Sequence, residues 1–391
     1  MTTDFPIGAF EHVATPFYYY DTALLRATLA EIKRATAGDA AFHVHYAVKA
    51  NANPTLLRII AEAGFGADCV SGGEVKAALA AGFPAEKIVF AGVGKSDWEI
   101  RLGIEAGIHS FNVESMPELA VINDLALRAG RRARVALRIN PNVDAHTHAN
   151  ITTGLNENKF GLAMEDMEAT AKEATSLPGI ELVGLHFHIG SQIEDVRTFV
   201  PLCERINDLQ QRLDKEGIKL PSLNVGGGLG IDYQHPDEHP VPDFAGYFEV
   251  FRKHLHLRPG QSLHFELGRS VVGQCGSLVS RVLYVKEGHQ KKFLILDAGF
   301  TDLIRPALYQ AYHKIENLTS RESRKETYDV VGPICESSDV FANGLTLPAG
   351  HRGDLVVLRS AGAYGEVMAS GYNCRPLPKG YTTEDLCPDV E

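Results

Sequence analysis

Apolar stretches with the length of β-strands alternate with helix-like segments through the first 270 residues of this 391-residue chain. Strands separated by helices pair in parallel through right-handed crossovers, so the alternation restricts the chain to α/β architectures. Eight strands are predicted, at residues 43–48, 66–70, 88–91, 110–113, 134–139, 182–188, 223–226 and 263–266. Eight strand–helix units in about 240 residues match the size of a (β/α)8 barrel.

Two architectures contain this alternation, a closed barrel and a doubly wound sheet. A doubly wound sheet carries its glycine-rich turn after the first strand, whereas Gly226, Gly227 and Gly228 follow the seventh strand here. Polar groups also end nearly every predicted strand, as at the C-terminal face of barrels. These groups are Lys49, Asp68, Cys69, Glu114, Asn140, His188, the triple glycine and Glu266. We therefore predict a TIM-type (β/α)8 barrel.

The pattern changes after residue 270. Strand-like segments without regular helices between them lie at 278–285, 292–297, 328–332 and 354–359. They predict an antiparallel β-sandwich or barrel domain, and the strand-like segment 16–20 can pair with its sheet. We predict a barrel over residues 24–268, and a β-rich domain of residues 1–23 and 269–391 that completes the active site.

The composition argues against several classes of partner. A formal net charge of −11 disfavours nucleic acid or an anionic membrane as the main partner, and no apolar run is long enough to cross a bilayer. The first residues lack the basic and apolar regions of a signal peptide. The six cysteines show no CxxC spacing, which favours free thiols in a reducing, cytoplasmic compartment.

Lys49 ends the first predicted strand and is followed at once by small and turn-forming residues. A lysine at the open end of a buried strand is poorly solvated, so we expect its pKa to fall and its amine to become nucleophilic. Schiff-base chemistry with a carbonyl cofactor needs such an amine. A surface lysine in a turn is the simpler alternative.

Two further strand ends suit the same cofactor chemistry. The loop Gly226–Gly228 exposes backbone N–H groups that can cradle a phosphate, although a triple glycine can also form a simple tight turn. Glu266 ends the last strand, and a carboxylate inside a barrel needs a cation. A protonated pyridine nitrogen is one such cation, and an arginine such as Arg138 is the structural alternative.

The pair His186 and His188 lies two residues apart on one strand, so both side chains face the same side. One interpretation is a metal site, and the other is one packed histidine beside one that stacks on a ring. Three more HxH pairs occur in the chain, and none has an evident set of further ligands. We therefore predict no metal site.

Three groups outside the barrel suit catalysis or binding. Cys335 follows Gly-Pro and precedes polar residues, which predicts an accessible loop thiol able to act as an acid. Arg305 and Tyr309 lie four residues apart and share a face if the segment is helical. An arginine with a nearby phenol suits a carboxylate.

Seven segments occur in one order along the chain: YAVKAN, HFHIGSQ, GGGLG, ELGRS, DAGFTDLIRPALY, CESSDVF and GAYGEVMASGYN. Together they resemble the fold-type III pyridoxal-phosphate decarboxylases, whose barrel is like that of alanine racemase, and most closely the diaminopimelate decarboxylases. The resemblance covers nearly the whole chain, from residue 15 to residue 373. Position 267 is leucine here, where a proline is common in the family.

The resemblance implies a role for each matching residue. Lys49 would bind pyridoxal 5'-phosphate covalently, His188 would stack on its ring, and Glu266 would pair with the ring nitrogen. Further cofactor contacts would come from Ser191, Gly226, Gly227, Gly228, Leu267, Gly268, Arg269 and Tyr364. Substrate contacts would come from Arg269, Arg305, Tyr309, Glu336 and Tyr364. Cys335 would protonate the decarboxylated substrate from the second subunit of a homodimer with shared active sites.

The implied reaction converts meso-2,6-diaminoheptanedioate to L-lysine and CO2, the last step of lysine biosynthesis. This small-molecule amino-acid substrate ends in an amino acid, so its far end needs a cation for the carboxylate and an acid for the amine. Arg305 with Glu336 supplies both. A decarboxylase of ornithine, arginine or carboxynorspermidine type is the alternative, and ornithine or lysine would want acidic groups alone there.

Three other classes are weaker alternatives. A racemase shares the barrel and the cofactor but favours an arginine at the ring nitrogen, and Glu266 argues against it. A metal-dependent barrel hydrolase would bind zinc. A non-catalytic relative that binds a partner should have lost Lys49 or Cys335, and both are present.

Overall fold

The computed structural model of the protein describes residues 5–143 and 159–387. The sequence leaves open whether the loop at 145–160 closes over the site, and most of that loop lies outside these ranges. Two compact units are formed. The barrel unit comprises Leu29–Gly230 and Asp243–Gly268, and the β unit comprises the residues up to Thr28, Ile231–Pro242 and the residues from Arg269 onward.

The secondary structure of the described residues alternates as predicted and then becomes β-rich. The strands are β1 Phe17–Tyr20, β2 Phe42–Ala47, β3 Gly66–Cys69, β4 Ile88–Phe90, β5 Ser110–Val113, β6 Ala133–Arg138, β7 Ile180–His186, β8 Ser222–Asn224, β9 Ser262–Leu267, β10 Gly276–Glu287, β11 Lys292–Leu296, β12 Ile315–Asn317, β13 Lys325–Val331, β14 Val340–Pro348, β15 Leu355–Leu358 and β16 Lys379–Thr382. The helices are α1 Ile7–Phe10, α2 Thr22–Ala35, α3 Pro54–Glu62, α4 Gly72–Ala80, α5 Asp97–Ala106, α6 Met116–Arg128, α7 Met167–Ser176, α8 Val200–Lys215, α9 Phe244–His254, α10 Arg269–Val272, α11 Arg305–Tyr309 and α12 Thr383–Leu386. Over the described ranges, we find no helix with the length and apolar character to span a membrane.

The barrel unit is a closed barrel of the parallel strands β2 to β9 in chain order. This confirms the predicted (β/α)8 architecture, and each strand begins and ends within two residues of its predicted bounds. Several helices begin soon after their strand because a polar side chain caps them. Asn53, Ser71 and Ser115 each accept a hydrogen bond from a first-turn backbone N–H, which satisfies a donor that the helix itself cannot pair.

The inward positions of the barrel carry polar and small side chains, whereas bulky branched residues usually fill such barrels. Strand register places His45 beside Gly66 on one side and Glu266 on the other. Hydrogen bonds also cross the interior between strands that are not neighbours, as from Asn112 on β5 to Glu266 on β9. A Cβ on Gly66 would lie 2.3 Å from Nδ1 of His45. Small residues therefore make room for a hydrogen-bonded interior.

His45 and His264 form a histidine cluster with His109, which directly precedes β5. Nδ1 of His45 lies 3.0 Å from the carbonyl oxygen of Lys87, so it must donate there, and Nε2 can accept from Nδ1 of His264 at 2.8 Å. The rings of His109 and His264 are 4.8 Å apart. Burial lowers the pKa of His45 and that of His109 to about 4. The cluster is therefore neutral near pH 7.

The β unit is built on one mixed sheet. Six strands pair in the order β12-β15-β10-β11-β13-β14, and β1 pairs with both β10 and β16. The predicted second β domain is thereby confirmed, with the N-terminal strand paired to the C-terminal sheet. The sheet is not wholly antiparallel, because β11 pairs parallel with β13 and β1 pairs parallel with β16. Both pairs join strands that are not consecutive in the chain, so no local sequence pattern indicates their direction.

Aromatic side chains from the start of the chain pack in the core of the β unit. The rings of Phe10 and Tyr19 lie 5.0 Å apart in an edge-on arrangement. The buried cluster consists of Phe10, Phe17, Tyr19, Val279, Leu355 and Val357. Segments far apart in the chain therefore share one core.

Candidate active site

Lys49 follows the end of β2 in the barrel unit. The chain turns there through a short 3-10 helix, Val48–Ala50. The hydroxyl of the buried Tyr46 donates to the carbonyl oxygen of Asn51 at 2.8 Å. This hydrogen bond spans the turn and holds it, so that Lys49 is presented at the C-terminal end of the barrel.

The positive charge of Lys49 acts on titratable groups of the barrel unit that include Asp68, His188 and Glu266. Burial, followed by the charge of Glu266, raises the pKa of Asp68 well above its usual value, and Lys49 opposes this rise. Burial lowers the pKa of His188 well below its usual value, and Lys49 adds to that effect. Lys49 also helps to lower the pKa of Glu266. The residues predicted at separate strand ends are therefore electrostatic neighbours.

Three hydrogen-bond donors hold Glu266 inside the barrel. Its Oε1 accepts from Nδ2 of Asn112 at 3.1 Å and from Nδ2 of Asn224 at 2.7 Å, and its Oε2 accepts from Nε2 of His186 at 3.0 Å. Burial acts to raise the pKa of Glu266, but the charge and hydrogen bond of His186 outweigh it and place the pKa far below its usual value. Glu266 is therefore ionised, and Oε2 can accept one further donor.

Arg138, the alternative partner for Glu266, pairs with a different carboxylate. Its Nη1 lies 2.7 Å from Oε1 of Glu114, and both side chains are buried. Its guanidinium also lies over the ring of Phe160, 4.7 Å from the centroid. Oε2 of Glu114 accepts from the backbone N–H of Gly161 at 2.9 Å. Arg138 thus anchors the chain near residue 160 and does not neutralise Glu266.

The three glycines after β8 form a tight loop. Gly226 and Gly228 have φ of +70° and +117°, a region that residues with a Cβ rarely adopt. A Cβ on Gly227 would lie 1.9 Å from the backbone oxygen of Glu266. The N–H of Gly227 donates to Nδ1 of His188 at 3.3 Å, which requires an unprotonated Nδ1. The loop therefore lies against both Glu266 and His188. Ser191 follows His188 by three positions.

In the β unit, Arg269 and Tyr364 lie together. The guanidinium of Arg269 lies over the ring of Tyr364, 4.9 Å from the centroid. Its Nη1 donates to the hydroxyl of Tyr233 at 2.6 Å. Tyr364 has a φ of +57°, a strained backbone conformation of the kind found at functional sites.

Arg305 and Tyr309 begin and end α11, so the condition for the two side chains to share a helix face is met. Arg305 is 5% exposed, and its guanidinium lies over the ring of Tyr233, 5.0 Å from the centroid. Its Nη1 lies 2.8 Å from Nε2 of His313. Burial lowers the pKa of Arg305. Tyr233 therefore contacts two buried arginines, an arrangement that suits a carboxylate.

The loop that carries Cys335 is held by the C-terminal segment of the β unit. The backbone N–H of Cys335 donates to Oδ1 of Asn373 at 3.2 Å, and Oε1 of Glu336 accepts from the hydroxyl of Tyr372 at 2.8 Å. The thiol is exposed, as predicted. The ring of Tyr372 stacks on Phe300 with centroids 6.0 Å apart.

Four residues that contact Glu266 or the two arginines were not predicted from the sequence. They are Asn112, Asn224, Tyr233 and His313, whereas His186 was predicted as a packed histidine or a metal ligand. Asn112 and Asn224 lie on barrel strands at inward positions, so the strand period combined with the expected interior could have found them. Tyr233 and His313 lie outside regular elements, where no periodicity marks them. Within the described residues, no group of three or more histidine, cysteine, aspartate or glutamate side chains is arranged to hold a metal ion.

Comparison with known proteins relates this geometry to one family. The model of the pyridoxal binding domain of pyridoxal-dependent decarboxylases matches residues 23–273. The diaminopimelate decarboxylase of Bacteroides thetaiotaomicron is 64% identical over 98% of this chain and 99% of its own length. That of Neisseria meningitidis serogroup B is 46% identical over 93% of this chain and 87% of its own. The crystal structure of the Helicobacter pylori diaminopimelate decarboxylase with L-lysine has a TM-score of 0.91 at 39% identity, covering 97% of this chain and 94% of that one.

Proposed function

The chain belongs to the pyridoxal-dependent decarboxylase family, and we propose that it converts meso-2,6-diaminoheptanedioate to L-lysine and CO2. The observation that carries the chemistry is the ionised Glu266 inside the barrel, with one oxygen able to accept a further donor. A protonated ring nitrogen is such a donor.

The residues of the barrel unit fit pyridoxal 5'-phosphate. The amine of Lys49 can bind its aldehyde covalently. The backbone of Gly226–Gly228, with Ser191 nearby in the preceding loop, suits its phosphate, since a Cβ at these glycines would meet neighbouring backbone atoms. His188 is neutral because burial lowers its pKa, so its ring can stack on the cofactor without repelling the pyridinium.

Each proposed catalytic residue holds or moves a proton at a defined atom. The bound cofactor supplies an electron sink for the electron pair left behind when CO2 departs. Glu266 keeps the proton on the ring nitrogen, because Asn112, Asn224 and His186 keep Glu266 itself ionised. Cys335 donates the thiol proton to the substrate Cα, and its exposure allows reprotonation from water.

The proposed substrate contacts lie in the β unit. Arg305 binds the carboxylate at the end of the substrate that does not react. Tyr309 and Arg269 help to bind the same carboxylate. Glu336 accepts the amine at that end, with Tyr372 fixing its carboxylate through a 2.8 Å hydrogen bond. This pairing of a cation with an acid supports a substrate that ends in an amino acid over one that ends in an amine alone.

We further propose that two chains form a homodimer with shared active sites, in which Cys335 acts on substrate bound by the partner subunit. Exposed apolar side chains of the β unit support this proposal: Leu308, Tyr312, Val367 and Tyr372 are each at least 40% exposed. Such residues are costly on a surface that stays in water and are typical of subunit interfaces.

We also propose a cytoplasmic location. All six cysteines are free thiols. Burial raises the pKa of Cys203 to about 12, which keeps that thiol protonated and inert. Free thiols persist in reducing compartments.

The test is a comparison of substrates on the purified protein. We expect an absorbance band of bound cofactor in the visible range and release of CO2 from meso-2,6-diaminoheptanedioate. Ornithine and arginine should react far more slowly. Faster turnover of either would contradict the substrate assignment, and bound cofactor without CO2 release from any diamino acid would contradict the proposed activity.

A further inference from the structure

Two buried arginines of the β unit are held in opposite ways. Arg359 is 4% exposed and donates to two carboxylates, Oε2 of Glu316 at 2.8 Å and Oδ1 of Asp237 at 2.9 Å. Its charge is therefore neutralised by carboxylates of the protein itself. Arg305 is equally buried, yet in the described part of this unit no carboxylate forms an ion pair with it.

Arg305 donates a hydrogen bond to the imidazole of His313. Nε2 of His313 lies 2.8 Å from Nη1 of Arg305, and Nδ1 lies 2.8 Å from the backbone oxygen of Arg359. A carbonyl oxygen can only accept, so Nδ1 carries the proton. A guanidinium can only donate, so Nε2 carries none. The two partners therefore define one neutral tautomer of His313.

The surroundings of His313 keep it neutral. It is 4% exposed, and its ring meets that of Tyr233 edge-on at 5.3 Å. Burial, followed by the charge of Arg305, lowers the pKa of His313 to about 3. Protonation would place an N–H against the guanidinium, so the histidine orients Arg305 without cancelling its charge.

We propose that His313 is a specificity-determining positioning residue, whose neutral acceptor holds Arg305 while leaving the guanidinium charge to the carboxylate at the non-reacting end of the substrate. This inference rests on the proposed function of Arg305. A buried charge without a counter-ion is costly, and an anionic ligand recovers that cost on binding. A carboxylate at position 313 would neutralise the charge of Arg305 permanently. The protein would then select less strongly for a ligand that carries a carboxylate.

The selection for a ligand carboxylate can be measured by comparing the affinities of two ligands that differ by one carboxylate. L-lysine and 1,5-diaminopentane share their amines and chain length, but only L-lysine carries the carboxylate of the non-reacting end. The affinity of each for the cofactor-loaded protein is measured by calorimetry, which needs no turnover. His313→Glu should weaken the binding of L-lysine by about 10- to 100-fold, which is the range for loss of a hydrogen bond to a charged group. Binding of 1,5-diaminopentane should change less than about twofold.

The matched control is His313→Gln, whose side-chain oxygen offers Arg305 a neutral acceptor. Its ratio of L-lysine to 1,5-diaminopentane affinity should stay close to that of the unchanged protein. A third variant, His313→Asn, keeps a donor toward the backbone oxygen of Arg359 but is too short to reach Arg305. It should lose L-lysine affinity by about 10-fold, and it provides the test if His313→Glu does not fold.

An unchanged affinity ratio in folded His313→Glu and His313→Asn, or an equal loss for both ligands, would overturn the proposal. Failure of the proposed function has a different signature. The unchanged protein would then release no CO2 from meso-2,6-diaminoheptanedioate, whatever the variants bind.

Discussion

At the scale of single residues, the ionisation of Glu266 depends on its three donors. A carboxylate buried without partners would take up a proton to avoid the cost of desolvation. Asn112 and Asn224 both donate to Oε1, and His186 donates to Oε2. Each hydrogen bond to a charged group contributes about 1.5–3 kcal/mol. Asn112 and Asn224 are therefore expected to influence the reaction without touching the substrate.

The double variant Asn112→Leu/Asn224→Leu tests this dependence. Loss of two donors to the charged carboxylate should raise the pKa of Glu266. A higher pKa means that more of Glu266 is protonated at any acidic pH, so the acid limb of kcat/KM should move to higher pH. The carboxylate band of Glu266 in infrared difference spectra gives a readout independent of turnover.

The control for this variant is Asn207→Leu, because Asn207 bonds only to the backbone near His254 and His256. Its acid limb should match that of the unchanged protein. An acid limb and a carboxylate band that stay in place in the double variant would show that Glu266 does not need the two asparagines.

At the scale of elements, the loop after β8 and the strand β9 are fitted to each other. The loop runs so close to Glu266 that Gly227 has no room for a side chain. The same loop reaches His188 through the N–H of Gly227. Three predicted cofactor contacts are therefore mechanically connected, and a change in one displaces the others.

Gly227→Ala should therefore weaken cofactor binding. Its Cβ would collide with the backbone of Glu266, so the loop and the backbone N–H groups that suit the phosphate would have to move. A displacement of about 1 Å in an active site can lower the reaction rate about 100-fold. Cofactor retained after dialysis, measured by absorbance, reports the loss. Gly94→Ala is the control, since a Cβ there meets nothing within 4 Å; equal retention by both variants would contradict the expected fit.

The histidine cluster should make the barrel sensitive to acid. An unfolded histidine has a pKa of about 6.5, and burial lowers the pKa of His45 and His109 to about 4 in the folded protein. The unfolded state thus binds more protons between these values, so stability is fully present above about pH 6.5 and falls as the pH drops toward 4. Glu266, with its lowered pKa, adds to this loss only below about pH 4.3.

His109→Gln should make the fall in Tm between pH 6.5 and pH 4 smaller by roughly 2–4 °C. The exposed His12 provides the control, and His12→Gln should leave the fall unchanged. Thermal unfolding followed by circular dichroism at several pH values measures both. A His109→Gln curve that runs parallel to that of the unchanged protein would contradict the role of the cluster.

The barrel was predictable because each strand is a short apolar run bounded by turn residues, a local pattern. Lys49, His188 and Glu266 were predictable because strand ends meet at one face of a barrel. His313 was not, because its partner Arg305 and its acceptor on Arg359 come together only through the folded sheet. The parallel pairing of β11 with β13 was missed for the same reason: it is set by tertiary contacts between strands that are not consecutive.

At the scale of the whole molecule, the proposed homodimer separates two catalytic groups between chains. Lys49 and Cys335 would serve one reaction from different subunits. A chain with Lys49→Ala and a chain with Cys335→Ala would each be inactive or slow alone. In a mixed dimer, one of the two sites would have both residues.

Mixing equal amounts of the two variants, with dissociation and reassociation, should restore about a quarter of the normal activity. Half of the dimers would be mixed, and each would have one complete site. Turnover with meso-2,6-diaminoheptanedioate and sedimentation analysis measure activity and assembly. No recovery from variants that do exchange subunits would place Lys49 and Cys335 of one site in the same chain.

The position of β1 has a consequence for synthesis on the ribosome. Tyr18 lies between Leu278 on β10 and Gly380 on β16, so β1 is made long before either of its partners. During translation the eight barrel strands can pair as they emerge, while the aromatic strand β1 remains without its sheet. A nascent chain of this protein therefore carries an unpaired, aggregation-prone strand until β10 has been made, and that strand is where a chaperone would be most useful.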